Sequence, residues 1–136
     1  MREHISRRMM LSAPLAAPVM QGSQVAPGAV RAWEGIFVIM QTPFLETLEI
    51  DEESLRRESD FLARGRVHGI VWPAGASETA SLSFRERMRH SEAVVKEAKG
   101  RTTVLIGVHG VNKFEAMEYA RHAEKIGADG LHALGP

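Results

Sequence analysis

Cysteine is missing from the 136 residues, and with it go disulfide frameworks, thiolate zinc sites, iron–sulfur clusters and thiol nucleophiles. No apolar run reaches the roughly 18 residues that a membrane-crossing helix needs, so no membrane partner is expected. An excess of either charge is missing too. The 17 Lys and Arg balance 17 Asp and Glu to a formal net charge of +0, which argues against a nucleic-acid partner. Lysine is scarce: Lys96, Lys99, Lys113 and Lys125 all fall in or beside predicted helices, where a solvated surface charge is the ordinary role. What remains is globular in kind, 44% hydrophobic and 25% charged, and long enough to bury a core without metal or disulfide staples.

Residues 1–32 differ from the rest. A basic start is followed by a mildly apolar stretch with prolines at 14 and 18, then by small, turn-forming residues. Ser6-Arg7-Arg8-Met9-Met10-Leu11 resembles a twin-arginine export signal, with Val25-Ala26-Pro27-Gly28-Ala29 as a small-residue cleavage region. The other reading is an over-extended start, because Met9, Met10 and Met20 could each initiate a shorter chain. Residues 1–32 are therefore set aside as a leader, and residues 33–136 form the folded body.

Along that body, short apolar runs alternate with amphipathic ones at intervals of about thirty residues, the size of a βα unit with its loops. The predicted strands are residues 35–40, 67–72, 103–108 and 130–134, mostly apolar on successive positions, as strands covered on both faces are. Asp51 caps a helix that runs to Arg64 and stops at Gly65, with a thin stripe of Leu55, Phe61 and Leu62. Ser83 and Glu86 form a capping box for a second helix, whose face carries Phe84, Met88, Val95 and Ala98 and which ends at Gly100. Asn112 and Glu115 open a third, with Ala116, Tyr119, Ala120 and Ala123 on one side and Gly127 as terminator. The order βαβαβαβ implies a parallel sheet, either open and doubly wound or part of a closed (β/α)₈ barrel. In both, chemistry gathers at the carboxyl ends of the strands: Gln41 to Phe44, Pro73 to Glu78, His109 to Val111, and the residues beyond Leu134.

Phosphate-binding glycine patterns are absent there, as is the G-x-S-x-G elbow of hydrolases. His68, His109 and His132 fall on consecutive strands, but at unequal depths: near the start, at the carboxyl end and mid-strand. One metal shared by all three is not expected. Of the lysines, Lys113 alone lies near the strand carboxyl ends.

The ordered text of the body resembles a family, the pyruvate-dependent class I lyases typified by dihydrodipicolinate synthase and N-acetylneuraminate lyase. The match is collinear: Gly35 to Val38 running into Thr42-Pro43-Phe44, then Ile50-Asp51 and Leu55, Gly69 to Val71, Ser77-Glu78, Leu82-Ser83, Glu86-Arg87, Val94-Val95, Gly100-Arg101, Val104 to Val108, and Ala123-Glu124 through Gly130. The resemblance implies the first four strands and three helices of a (β/α)₈ TIM barrel. It also implies a small 2-oxo acid of the pyruvate type held as a Schiff base, aldol cleavage or condensation with no metal and no cofactor, and a homo-oligomer. A cytoplasmic location follows from the family, a periplasmic one from the twin-arginine reading.

By the same resemblance the family's G-T-T-G-E carboxylate-binding segment is here Ala74-Gly75-Ala76-Ser77-Glu78, so both threonine positions lack hydroxyls. Ser77 and the N–H groups of Gly75 to Ser77 are left as the expected cradle, with Thr42 beside them and Glu78 as the brace of the loop. The alignment puts the family's catalytic tyrosine and Schiff-base lysine beyond Pro136, and Tyr119, mid-helix, does not replace the tyrosine. No catalytic residue is therefore expected within these 136 residues, and the chain is expected to be a truncated, inactive portion of a lyase. The alternatives are a non-catalytic half-barrel relic or assembly partner, whose open edges two copies could cover, and a small open α/β binding domain.

Overall fold

The alternation takes shape in a computed structural model that describes residues 33–134. The leader and its export-signal reading lie outside the described residues. The elements are β1 (Phe37–Ile39), α1 (Glu52–Arg64), β2 (Gly69–Trp72), two 3₁₀ turns (Gly75–Ser77 and Thr79–Ser81), α2 (Phe84–Ala98), β3 (Thr103–Gly107), α3 (Lys113–Ile126) and β4 (Gly130–His132). All four strands occur where the apolar runs placed them, though β1 and β4 keep only three residues each.

Strand order is β1-β2-β3-β4, and every neighbouring pair is parallel. Ile70 and Trp72 of β2 and Val104 and Ile106 of β3 share one buried cluster with Leu55 of α1, Val94, Val95 and Ala98 of α2, and Ala123 of α3. All three helices therefore cover one face. Phe37, Val71 and Leu105 form a separate cluster on the opposite face. A doubly wound sheet would place helices on both faces and reverse its strand order at a switch point. Sequential order with helices on one side is barrel winding, which decides between the two architectures that periodicity left open.

Local chemistry sets the helix limits. The Asp51 carboxylate accepts the Ser54 N–H at 3.0 Å, and Ser83 and Glu86 exchange hydrogen bonds in a capping box. Asn112 accepts from the N–H groups of both Phe114 and Glu115. Glu115 departs from the expected box and reaches instead the N–H of Val111 at 3.0 Å. Gly127 ends α3 at φ 77°, in the left-handed region that glycine adopts without a Cβ penalty.

Two helix faces need correction. Phe61 is 67% exposed, whereas Leu55, Ser59 and Ala63 are buried. Six residues past Leu55 is about 240° around the helix, so Phe61 points away from the sheet while Leu62 comes back to it. In α2 the core side is Arg87, His90, Ser91, Val94, Val95 and Ala98. Phe84 turns instead toward α3, where its ring lies 5.1 Å from that of Tyr119, and the Met88 carbonyl meets His122 Nε2 at 2.9 Å.

Candidate functional site

Two loops meet at the carboxyl end of the sheet. The first follows β2, from the cis Trp72–Pro73 peptide to Leu82. Ser77 within it is fully buried. Its hydroxyl donates to the Met40 carbonyl at 2.6 Å and accepts the Ala74 N–H at 2.9 Å, and its own N–H donates to the Ala74 carbonyl at 2.9 Å. The Thr42 hydroxyl donates to the Ser77 carbonyl at 2.7 Å and accepts Trp72 Nε1–H at 3.0 Å. The Thr79 hydroxyl donates to the Ala74 carbonyl. Three hydroxyls thus tie the loop to itself and to the end of β1.

The expected cradle is correspondingly altered. Ser77 offers no free hydroxyl to a ligand, because both its donor and an acceptor position are engaged inside the loop. Gly75 and Ala76 are exposed, so what the loop presents outward is backbone. Glu78 is exposed as well, at φ 54°, where it links the two 3₁₀ turns. The hydrogen bonds that brace the loop come from Thr42, Ser77 and Thr79, which lie on or beside the sheet end.

The second loop follows β3 and is organised by Arg87 of α2, 4% exposed. Its Nη1 donates to the His109 carbonyl at 2.7 Å and its Nη2 to the Gly107 carbonyl at 3.0 Å. The guanidinium carbon lies 3.6 Å above the centre of the Tyr119 ring, a cation–π contact strengthened by burial. Desolvation lowers the pKa of Arg87, against the pull of Tyr119 and Glu115. Burial, then the hydrogen bond that the Tyr119 hydroxyl donates to Glu115 at 2.7 Å, pushes the phenol up to about 12. The same bond, with that from Val111 N–H, holds the Glu115 carboxyl below its ordinary value. Tyr119 is therefore a buried support under Arg87.

His109 and His132 come together here. Gly107 pairs with His132 across the β3–β4 ladder, and the two imidazoles stand edge to face with centroids 6.2 Å apart. The expectation that their depths differ fails because β4 ends at His132, which puts its ring level with the end of β3. His109 Nδ1 and Nε2, His132 Nδ1 and Arg87 Nε are buried with no hydrogen-bond partner. Burial first, then the Arg87 charge, then His132, lowers the pKa of His109, so its ring is neutral at pH 7. His68 sits apart, its Nδ1 accepting the Ile36 N–H at 3.0 Å. Among the described residues no group of three or more His, Cys, Asp or Glu side chains is placed to hold a metal.

The loops touch at Gly107. A Cβ there would lie 1.7 Å from the Pro73 carbonyl oxygen, so this strand end admits glycine only. Lys96, Lys99, Lys113 and Lys125 are all exposed or part-exposed at the surface, and Lys113 lies over the ring of Phe114 at 5.1 Å. Sequence reasoning missed the role of Arg87. The available signal was a charged residue in line with Ser91, Val94 and Ala98, on the face that α2 had to bury.

Comparison with known proteins agrees with this architecture. The profile of the dihydrodipicolinate synthetase family matches residues 32–136. A 4-hydroxy-tetrahydrodipicolinate synthase of Methanopyrus kandleri is 38% identical over 105 residues, 76% of this chain and 35% of that protein. The sialic acid aldolase of Ruminococcus gnavus, solved as a catalytic lysine mutant, superposes with a TM-score of 0.72 at 26% identity over 76% of this chain and 34% of its own. YagE, a prophage protein of E. coli K12 solved in complex with pyruvate, gives 0.71 at 28% identity over 75% and 34%. The chain thus spans about a third of the length of each of these relatives. With the order of the strands, the one-sided helix layer and the collinear sequence match all in agreement, the chain belongs to the dihydrodipicolinate synthetase family.

Proposed function

We propose that this chain supplies the first four strands and three helices of a carbon–carbon lyase acting on pyruvate or a related 2-oxo acid through a Schiff base, and that the 136 residues alone do not form that Schiff base. The observation that carries the second half is the placement of the four lysines. Imine formation needs an unprotonated amine that attacks the C2 carbonyl and expels water, and desolvation is what lowers a lysine pKa far enough at neutral pH. No lysine here is buried. The first half is supported by the family and by two relatives, one described with pyruvate bound and one with a catalytic lysine. Within this chain the loop from Gly75 to Glu78 is the part that would face the substrate carboxylate, through the exposed backbone of Gly75 and Ala76.

The chain is incubated with pyruvate and borohydride, which reduces any imine to a stable secondary amine, and its intact mass is measured. No mass increase is expected, and an adduct on Lys96, Lys99, Lys113 or Lys125 would refute the inactivity. Amide NMR during a pyruvate titration tests the cradle separately: shifts confined to Gly75–Glu78 support it, and their absence removes it. The placement of the lysines also favours a second reading, a non-catalytic half-barrel that serves as an assembly partner.

A further inference from the structure

The segment between β3 and α3 is pinned at both ends and lightly held in between. At its start Gly107 is pressed against the Pro73 carbonyl, and at its finish the Asn112 carboxamide caps α3. Three hydrogen bonds hold what lies between. Val108 N–H donates to the His132 carbonyl at 2.9 Å, the His109 carbonyl accepts from Arg87 at 2.7 Å, and Val111 N–H donates to Glu115 at 3.0 Å. Val108 is buried but Val111 is 93% exposed, so the far half of the segment packs against little. The His109 ring lies over Gly107, its Cε1 3.2 Å from where a Cβ would be. Both ring nitrogens are enclosed by the chain's own atoms and bonded to none of them.

Charged and titratable groups approach that ring from three elements. Helix α2 brings Arg87, β4 brings His132, and α3 brings Glu115 and Tyr119, which are bonded to each other at 2.7 Å. The loop after β2 contributes the Pro73 carbonyl, and its one ionisable side chain, Glu78, is exposed. After burial, the influences on His109 are Arg87 and His132, and both oppose a proton there. A protonated ring in this position carries two donors with no acceptor placed for either, beside a buried guanidinium. In water the same ring is an ordinary cation. Protonation therefore favours whichever arrangement puts the ring outside, and a ligand, here the proton, shifts a population by its differential affinity for the two states.

We propose that residues 108–111 form a proton-operated flap: a proton taken up by His109 swings the segment outward between Gly107 and Asn112, carrying the imidazolium into water and freeing the His109 carbonyl from Arg87. The inference does not rest on the lyase reading, although the flap borders the loop that presents Gly75 and Ala76. At pH 7 the ring is neutral in the closed form, and as pH falls below the ordinary 6.5 the open form alone takes the proton until the closed form's lower value is reached. One proton per opening raises the open population by up to about tenfold for each pH unit in that window. Glu115 is held below its ordinary value, so its bond to Val111 does not titrate there.

The test is amide hydrogen exchange by NMR on the full 136-residue chain between pH 7 and 5, read at Val108, whose N–H is bonded in the closed form. Its protection factor is expected to fall by up to about tenfold per pH unit below 6.5, in step with the ring C–H signal of His109. Low urea separates the flap from unfolding. A flap exposes little surface, so exchange at Val108 should ignore the denaturant, while exchange at Val104 and Ile106 in the core of β3 quickens with it. His109→Phe keeps a ring that cannot take a proton and should leave Val108 protection flat; circular dichroism checks its fold, and His109→Leu serves if it fails. His132→Leu should retain the fall, because burial and Arg87 outrank His132. Protection at Val108 that stays constant to pH 5 overturns the proposal, and so does a fall that survives in His109→Phe. Exchange at Val108 with the same urea dependence as Val104 and Ile106 overturns it as well, because the segment then opens only when the chain unfolds.

Discussion

The loops after β2 and β3 lie side by side at the same end of the sheet and are stabilised in opposite ways. In the first, Ser77, Thr42 and Thr79 satisfy one another and the backbone with short local hydrogen bonds. The second is held from outside by a buried cation on a helix, and leaves both nitrogens of His109 and one of His132 without partners. A closed network fixes backbone geometry and has nothing left to offer a ligand except its exposed main chain. An incomplete one keeps polar atoms in a low-dielectric setting, where they cost stability and respond to protons. The first loop is the rigid element of the site, and the second is its responsive one.

The contrast can be broken hardest at the contact between them. Gly107→Ala drives a Cβ into the Pro73 carbonyl, and is expected to cost about 3 kcal/mol or more, since backbone has to move; a denaturant melt within about 1 kcal/mol of wild type would show the loops to be independent. Arg87→Ala removes two charged hydrogen bonds and leaves the Gly107 and His109 carbonyls buried, an expected loss of about 3 kcal/mol read as a lower unfolding midpoint. Ser77→Ala removes the hydroxyl that joins Met40 to Ala74 and should cost about 2 kcal/mol. Its amide exchange should quicken between Ala74 and Thr79 and stay unchanged after β3, and faster exchange in both loops would deny the separation.

The smallest effect is the most specific. His109 has a folded pKa below its ordinary 6.5, so the unfolded chain binds the proton more readily and stability falls as pH drops below 6.5, toward the folded value. His109→Phe should flatten that slope while leaving the response of carboxylates at lower pH in place. An unchanged profile between pH 7 and 5 would mean that the imidazole is solvated after all.

Much of the scaffold was legible because it is local. Ser83 with Glu86, Asn112 and Gly127 announce helix limits through chemistry that acts within four residues. Runs such as Val104 to Gly107 announce a doubly covered strand by composition. The placement of helices on one side of the sheet was not legible in the periodicity, because it depends on which strand face each connection crosses; the collinear family resemblance alone implied it, as a (β/α)₈ barrel, and the one-sided helix layer agrees. The site was legible only in outline. Ser77 was correctly placed in the loop after β2, but whether its hydroxyl points outward or inward depends on Met40, thirty-seven residues away. The meeting of His109 with His132 depends on the β3–β4 register, and nothing within either segment encodes it.

The chain's two tryptophans divide the molecule for a spectroscopist. Trp72 is fully buried at the end of β2, its indole N–H held by Thr42. Trp33, 46% exposed, precedes β1 yet reaches to the start of β4, where its ring occupies the space that a side chain on Gly130 would need. Trp33→Phe therefore leaves a single emitter inside the core, and Trp72→Phe a single emitter at the opposite end of the sheet, where β1 and β4 approach through one ring. Emission from the second variant reports whether that end stays closed while the first reports whether the core has melted, so the two ends of one sheet can be followed separately by their light.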